Sequence, residues 1–152
     1  MEKEFSSLNE STDEPTKKML QSLVDKKRKF DKYKKKCLYC QLFTFGTVLA
    51  FMGYFYFCIL KQSNSDISAM ISLFLQQSFH LFFVMSIIAG YATALYFKKK
   101  EEKAEKEFHA LRCEVIRKSP ELWPKPYYWK KREQVFLMMK KKFGINLFYE
   151  SK

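Results

Sequence analysis

The sequence predicts an all-α protein: a two-pass transmembrane helical hairpin with cytoplasmic helical extensions and a basic amphipathic C-terminal helix. Three observations carry that reading. Residues 38–60, LYCQLFTFGTVLAFMGYFYFCIL, contain no charged side chain. Residues 67–97 contain none unless His80 is protonated. Almost all the lysines of this chain, which is 47% apolar with a net charge of +12, lie before the first run or after the second.

The spans come first. A helix over residues 38–60 rises about 35 Å, enough to cross a hydrocarbon core of about 30 Å. Reading both runs as buried core helices fails on size, because a chain of 152 residues would have too little polar surface to cover them. A signal peptide is disfavoured, since the charged residues 1–37 precede the first run and that run is too long. Lys26 to Lys36 before the first run and Lys98 to Lys106 after the second place both termini in the cytoplasm, with a short outer connection. The second run exceeds one perpendicular span. Residues 61–78 are read as an outer loop with an interfacial helix capped by Ser65 or Asp66, and 79–97 as the second span. One long tilted helix is the alternative. In this register Cys40 lies level with Leu95, and Gly46 with Gly90. Gly46, Ala50 and Gly53 then form a small-residue face that meets Gly90 and Ala94, letting the two helices approach closely.

The flanks follow. Residues 1–14 form an acidic, disordered arm. Residues 15–37 form a basic cytoplasmic helix, with Asp13 and Pro15 as its start signal. Met19, Leu23, Phe30 and Cys37 recur on one face, and Phe97, Ala104, Phe108, Leu111 and Val115 recur over the helix of residues 98–118. The two stripes read as an antiparallel coiled-coil-like pair. The prolines of KSPELWPKP then break the pattern and open a basic aromatic tail, residues 119–152, with a helix from about 127 to 143 closed by Gly144. Trp129, Phe136, Met139 and Phe143 lie in one arc of that helix, which Arg132 interrupts, and they are the expected interaction face.

Few residues offer chemistry. Cys37 and Cys40 have the spacing of a redox or zinc motif but sit inside a helix, without the free backbone N–H groups that lower a thiol's pKa. A zinc ion needs further ligands. His109 and Cys113 lie at least 11 residues past the membrane edge, about 16 Å along a helix, and the Glu105/His109/Cys113 ladder reads as a solvated flank. The paired cysteines are therefore read as apolar residues where the chain meets the bilayer, and neither a catalytic residue, a metal site nor a cofactor is assigned. His80, with Gln76 and Gln77, reads as hydrogen bonding at the outer interface rather than a proton relay. No acidic residue lies inside either span, against an ion pathway of the chain's own. The aromatic, basic tail suits anionic headgroups, the cytoplasmic helical pair or a second copy better than nucleic acid, since the membrane topology already explains the positive flanks.

EKEFHALRCEVIRKSPELW from residue 105, YYWKKREQVFLMMKKKFGINLFYESK from 127, and the two-span arrangement before them resemble the YpbF family of Bacillus and related Firmicutes, small uncharacterised membrane proteins. The resemblance implies a bacterial cytoplasmic membrane and brings no substrate or catalytic residue. The expected function is that of a non-enzymatic, membrane-anchored interaction or scaffold protein. Its expected partners are anionic lipid and a protein or a second copy. An accessory subunit of a transporter or channel is the first alternative, and a cysteine-dependent redox or metal protein the second.

Overall fold

A computed structural model describes residues 13–61, 66–76, 78–124 and 128–150. The expected acidic arm lies almost wholly outside these residues, as do Ser65, Gln77 and Tyr127. The described residues form four α-helices and one π-helical turn: α1 (Glu14–Phe55), the π-turn (Tyr56–Leu60), α2 (Ile67–Gln76), α3 (Ser78–Leu122) and α4 (Trp129–Phe143). No strand occurs among them. Their contacts divide the chain into two compact units, Met1–Lys32 with Glu101–Lys152, and Tyr33–Lys100.

The first, here the packed unit, is built from the start of α1, the end of α3, and α4 with the segment after it. Helix α1 starts at Glu14, with Pro15 in its first turn, where a missing N–H costs no helical bond. Leu20, Leu23, Val24, Phe108, Val115, Trp123, Val135, Phe136, Met139, Ile145 and Leu147 form one core. Phe30 stacks on Phe108 with ring centroids 6.4 Å apart. Side chains of this size stabilise a fold by roughly 1.5–3 kcal/mol each when fully buried. Helix α3 runs on to Leu122 with Pro120 in its last turn. Proline removes one donor, yet the next turn closes through the Trp123 N–H, which donates to the Ser119 carbonyl at 3.0 Å. Gly144 ends α4 at φ 65°, a left-handed conformation that glycine adopts without strain. Gly144 N–H donates to the Lys140 carbonyl and Ile145 N–H to that of Met139, so the chain folds back and inserts Ile145 and Leu147 into the core.

The second, here the apolar unit, pairs the rest of α1 with the start of α3. Both helices are long and apolar enough to cross a membrane. Only 6% and 11% of their most apolar windows are buried, the reverse of a soluble core helix. Phe43 is 74% exposed, Phe82 67% and Tyr39 70%. In the π-turn, Lys61 N–H reaches the Tyr56 carbonyl at 3.1 Å, and Ile59 is buried there, where α2 packs. Asp66 caps α2: its carboxylate accepts from the Ser68 N–H at 3.2 Å and from the Ser68 hydroxyl at 3.3 Å.

Candidate functional site

The tail helix carries the residues expected to face a partner, and the structure divides them. Phe136 and Met139 are buried in the chain's own packed unit, 2% and 0% exposed, while Trp129 and Phe143 are half-buried. Phe136 meets Trp123 edge-on at 5.8 Å and Phe148 at 5.5 Å. Arg132 does not interrupt the apolar arc. Its guanidinium lies 3.6 Å over the Trp129 ring and 5.1 Å from that of Phe136, and Nη1 donates to Ser119 Oγ at 3.3 Å. A planar, weakly hydrated cation can cover aromatic faces in this way. The outward surface of the tail instead includes Tyr128, Lys130, Lys131, Glu133, Gln134, Leu137, Lys140, Lys141, Lys142, Phe148 and Tyr149.

Eight core residues lie outside the two-helix stripes, among them Leu20, Val24, Ile145 and Leu147. Leu20 and Val24 follow Met19 and Leu23 by one position, which widens the apolar face of α1, the mark of a helix covered by more than one neighbour. Arg112 is also buried. Its Nη2 donates to the Glu150 carbonyl at 2.6 Å and ties α3 to the last described residues. Lys118 donates to Glu114 at 2.7 Å, and that hydrogen bond, with the carboxylate's charge, raises the Lys118 pKa above its ordinary value.

Within the apolar unit the small residues also divide. A Cβ on Gly90 would stand 2.7 Å from Thr44 Oγ1, so Thr44 rather than Gly46 lies opposite Gly90. Gly46 and Gly53 have nothing within 4 Å of that position, and Ala50 is exposed. Two residues of helix turn about 200°, so this difference in register moves the Gly46 face to the outside. Ala94 is buried, and its carbonyl lies 4.0 Å from Cys37 Sγ. Thr44 satisfies its own hydroxyl on the Cys40 carbonyl at 2.8 Å.

All four cysteines are free thiols: Cys37 is buried, and Cys40, Cys58 and Cys113 are half-buried. Among the described residues no group of three or more His, Cys, Asp or Glu could hold a metal ion. His109 pairs with Glu105 at 3.7 Å. His80 is 2% exposed and engaged on both ring nitrogens, with the Phe74 carbonyl at 2.9 Å from Nδ1 and Tyr54 Oη at 3.1 Å from Nε2. A carbonyl only accepts, so Nδ1 carries the proton, and in the neutral ring Nε2 accepts from the tyrosine. The ring also stacks on Phe74 at 5.1 Å. His80 thus binds the end of α2 to the start of α3 and to α1.

At the opposite end of the apolar unit Lys34, Lys35, Lys36, Lys98, Lys99 and Lys100 gather, and the only acidic residue in 33–100 is Asp66, beside α2. Lys36 Nζ stands 5.6 Å over the Phe97 ring and Lys100 Nζ 5.4 Å over that of Tyr96. Apolar rings under ammonium groups suit a boundary between hydrocarbon and anionic charge.

The chain is 42% identical over 156 residues to the uncharacterised protein YpbF of Bacillus subtilis (strain 168), with the whole of both chains covered. No solved structure matches it. Residues 19–150, which hold both helical units and the lysine-flanked apolar runs, match the model of a protein family of unknown function, DUF2663, and the chain belongs to that family.

Proposed function

We propose that this protein is a membrane-anchored interaction or scaffold protein, in which a two-pass hairpin holds a folded, basic helical module at the cytoplasmic face of a bacterial membrane. The observation that carries the reading is the contrast in cover. One unit buries its large apolar side chains, whereas Phe43, Phe57, Phe82 and Tyr91 of the other stand more than half exposed over uncharged helices. Such a surface in water is far larger than a stable monomer tolerates, and lipid is the solvent that suits it. The lysines at one end of that unit favour the orientation with both termini inside. The module then offers its partner the lysines of α4 with Leu137, Tyr128 and Tyr149, because Phe136 and Met139 are occupied within it.

Photocrosslinking in intact cells tests this, with the reactive side chain at exposed Leu137 and a control at buried Met139. Discrete adducts to another protein from position 137 and none from 139 are expected. Adducts to lipid alone from 137 would overturn the interaction reading and make the tail a membrane-surface element.

A second reading, an accessory subunit of a larger membrane complex, draws on the same exposed span faces. It places binding in the hairpin, so replacing both spans by unrelated apolar helices would abolish the complex under this reading and preserve it under the first.

A further inference from the structure

Two grooves flank the Thr44–Gly90 crossing in the apolar unit, and they differ in one respect. One, of about 320 Å³, is lined by Tyr39, Cys40, Phe43, Thr44, Gly90 and Thr93, with no charged residue. The other, of about 390 Å³, is walled by Phe45, Val48, Tyr91 and Leu95 and ends on Gln41 and Lys98. Both volumes fall in the range of small-ligand sites, about 300–1,000 Å³. We propose that the second groove is a binding site for a single anionic phospholipid, its acyl chain along Phe45, Val48, Tyr91 and Leu95 and its phosphate on Lys98 and Gln41. The inference rests on the reading that residues 33–100 lie in a membrane.

The geometry favours this occupant. From Tyr91 to Lys98, as from Gln41 to Val48, is two helical turns, about 10 Å, so the cation and amide stand at one end of an apolar channel. Gln41 offers two N–H donors and Lys98 three, and a phosphodiester accepts from both. The other five lysines at this end raise the local concentration of anionic headgroups and outnumber Glu101 and Glu102, the two carboxylates one turn beyond Lys98 on the same helix. A second copy of the chain fits poorly. Close helix approach needs a face of small residues, whereas the small Thr44 and Ala94 of this groove stand among the rings of Phe45 and Tyr91 and the branched Val48 and Leu95. The small-residue face of Gly46, Ala50 and Gly53 lines neither groove.

The neutral groove supplies an internal control. Full-length protein, purified and resistant to carbonate extraction from its membranes, is equilibrated with equal amounts of phosphatidylglycerol and phosphatidylcholine, and retained lipid is counted by native mass spectrometry. One phosphatidylglycerol per chain is expected, preferred about fivefold or more over phosphatidylcholine, the effect of a single well-placed lysine. Lys98→Gln should remove that preference and Val48→Trp the retained lipid, while Thr93→Trp, which fills the neutral groove, and Lys99→Gln leave both unchanged. Equal retention of the two lipids, or equal losses in Lys98→Gln and Lys99→Gln, would overturn the site in favour of diffuse attraction to the lysine cluster. A lipid-free dimer would overturn it in favour of a second copy. Protein that carbonate washes off would instead refute the membrane reading beneath the proposal.

Discussion

The same two long helices contribute to both units, and the units differ in what covers them. In the packed unit, α4 and the segment turned back at Gly144 close over Leu20, Leu23 and Val115. In the apolar unit α2 packs at Ile59 and against the His80 and Phe55 rings, and Phe43, Phe57 and Phe82 are left bare. Apolar composition alone is therefore not the distinction between them. The packed unit carries charges on its outer faces and excludes water by its own third layer, while most faces of the apolar unit have no such layer among the described residues.

Removing the third layer tests that comparison most severely. Truncation after Trp123 deletes Val135, Phe136, Met139, Ile145 and Leu147, and protease should then cleave freely within residues 14–32 and 101–123, with the fragment from 33 to 100 still protected under the proposed membrane reading. Loss of protection for that fragment as well would show that the apolar unit relies on the packed one. Equivalent truncations come next. Trp123→Ala in the core is expected to cost about 3–5 kcal/mol, read by hydrogen exchange in the packed unit, whereas Phe82→Ala on a bare face is expected to stay within about 0.5 kcal/mol. Equal costs would erase the distinction.

A finer test lies inside the apolar unit. Gly90→Ala places a methyl against Thr44 and is expected to cost about 1–3 kcal/mol in unfolding by detergent titration, an effect that Thr44→Ala relieves. Gly46→Ala meets nothing and is expected to be neutral or mildly stabilising. Arg132→Lys should cost less than Gly90→Ala, about 0.5–1 kcal/mol in the packed unit, because an ammonium cannot lie flat on Trp129.

Much of this was legible in the sequence where one periodicity sufficed. Leu23, Ala104, Phe108 and Val115 stand in the expected stripes and are buried, and Gly144 takes the left-handed position its place after Phe143 suggested. Legibility fell where a third neighbour decides. Phe136 and Met139 suit a partner, a headgroup layer or the chain's own helices equally well by pattern, and only packing chooses among them. Ile145 and Leu147 follow the end of α4, where no helical period can mark them. Register was harder still, since Thr44 and Gly46 are close in sequence yet on opposite faces of α1, and a small residue reads the same on either.

The placement of the two tryptophans has an optical consequence. Trp123, fully enclosed and edge-on to Phe136, and Trp129, beneath the Arg132 guanidinium, both belong to the packed unit. Residues 33–100 contain tyrosines and no tryptophan. Emission excited at the red edge of indole absorption therefore follows one half of this molecule and is blind to the other. The wild-type chain is its own fluorophore, and unfolding of its packed unit can be watched without a label.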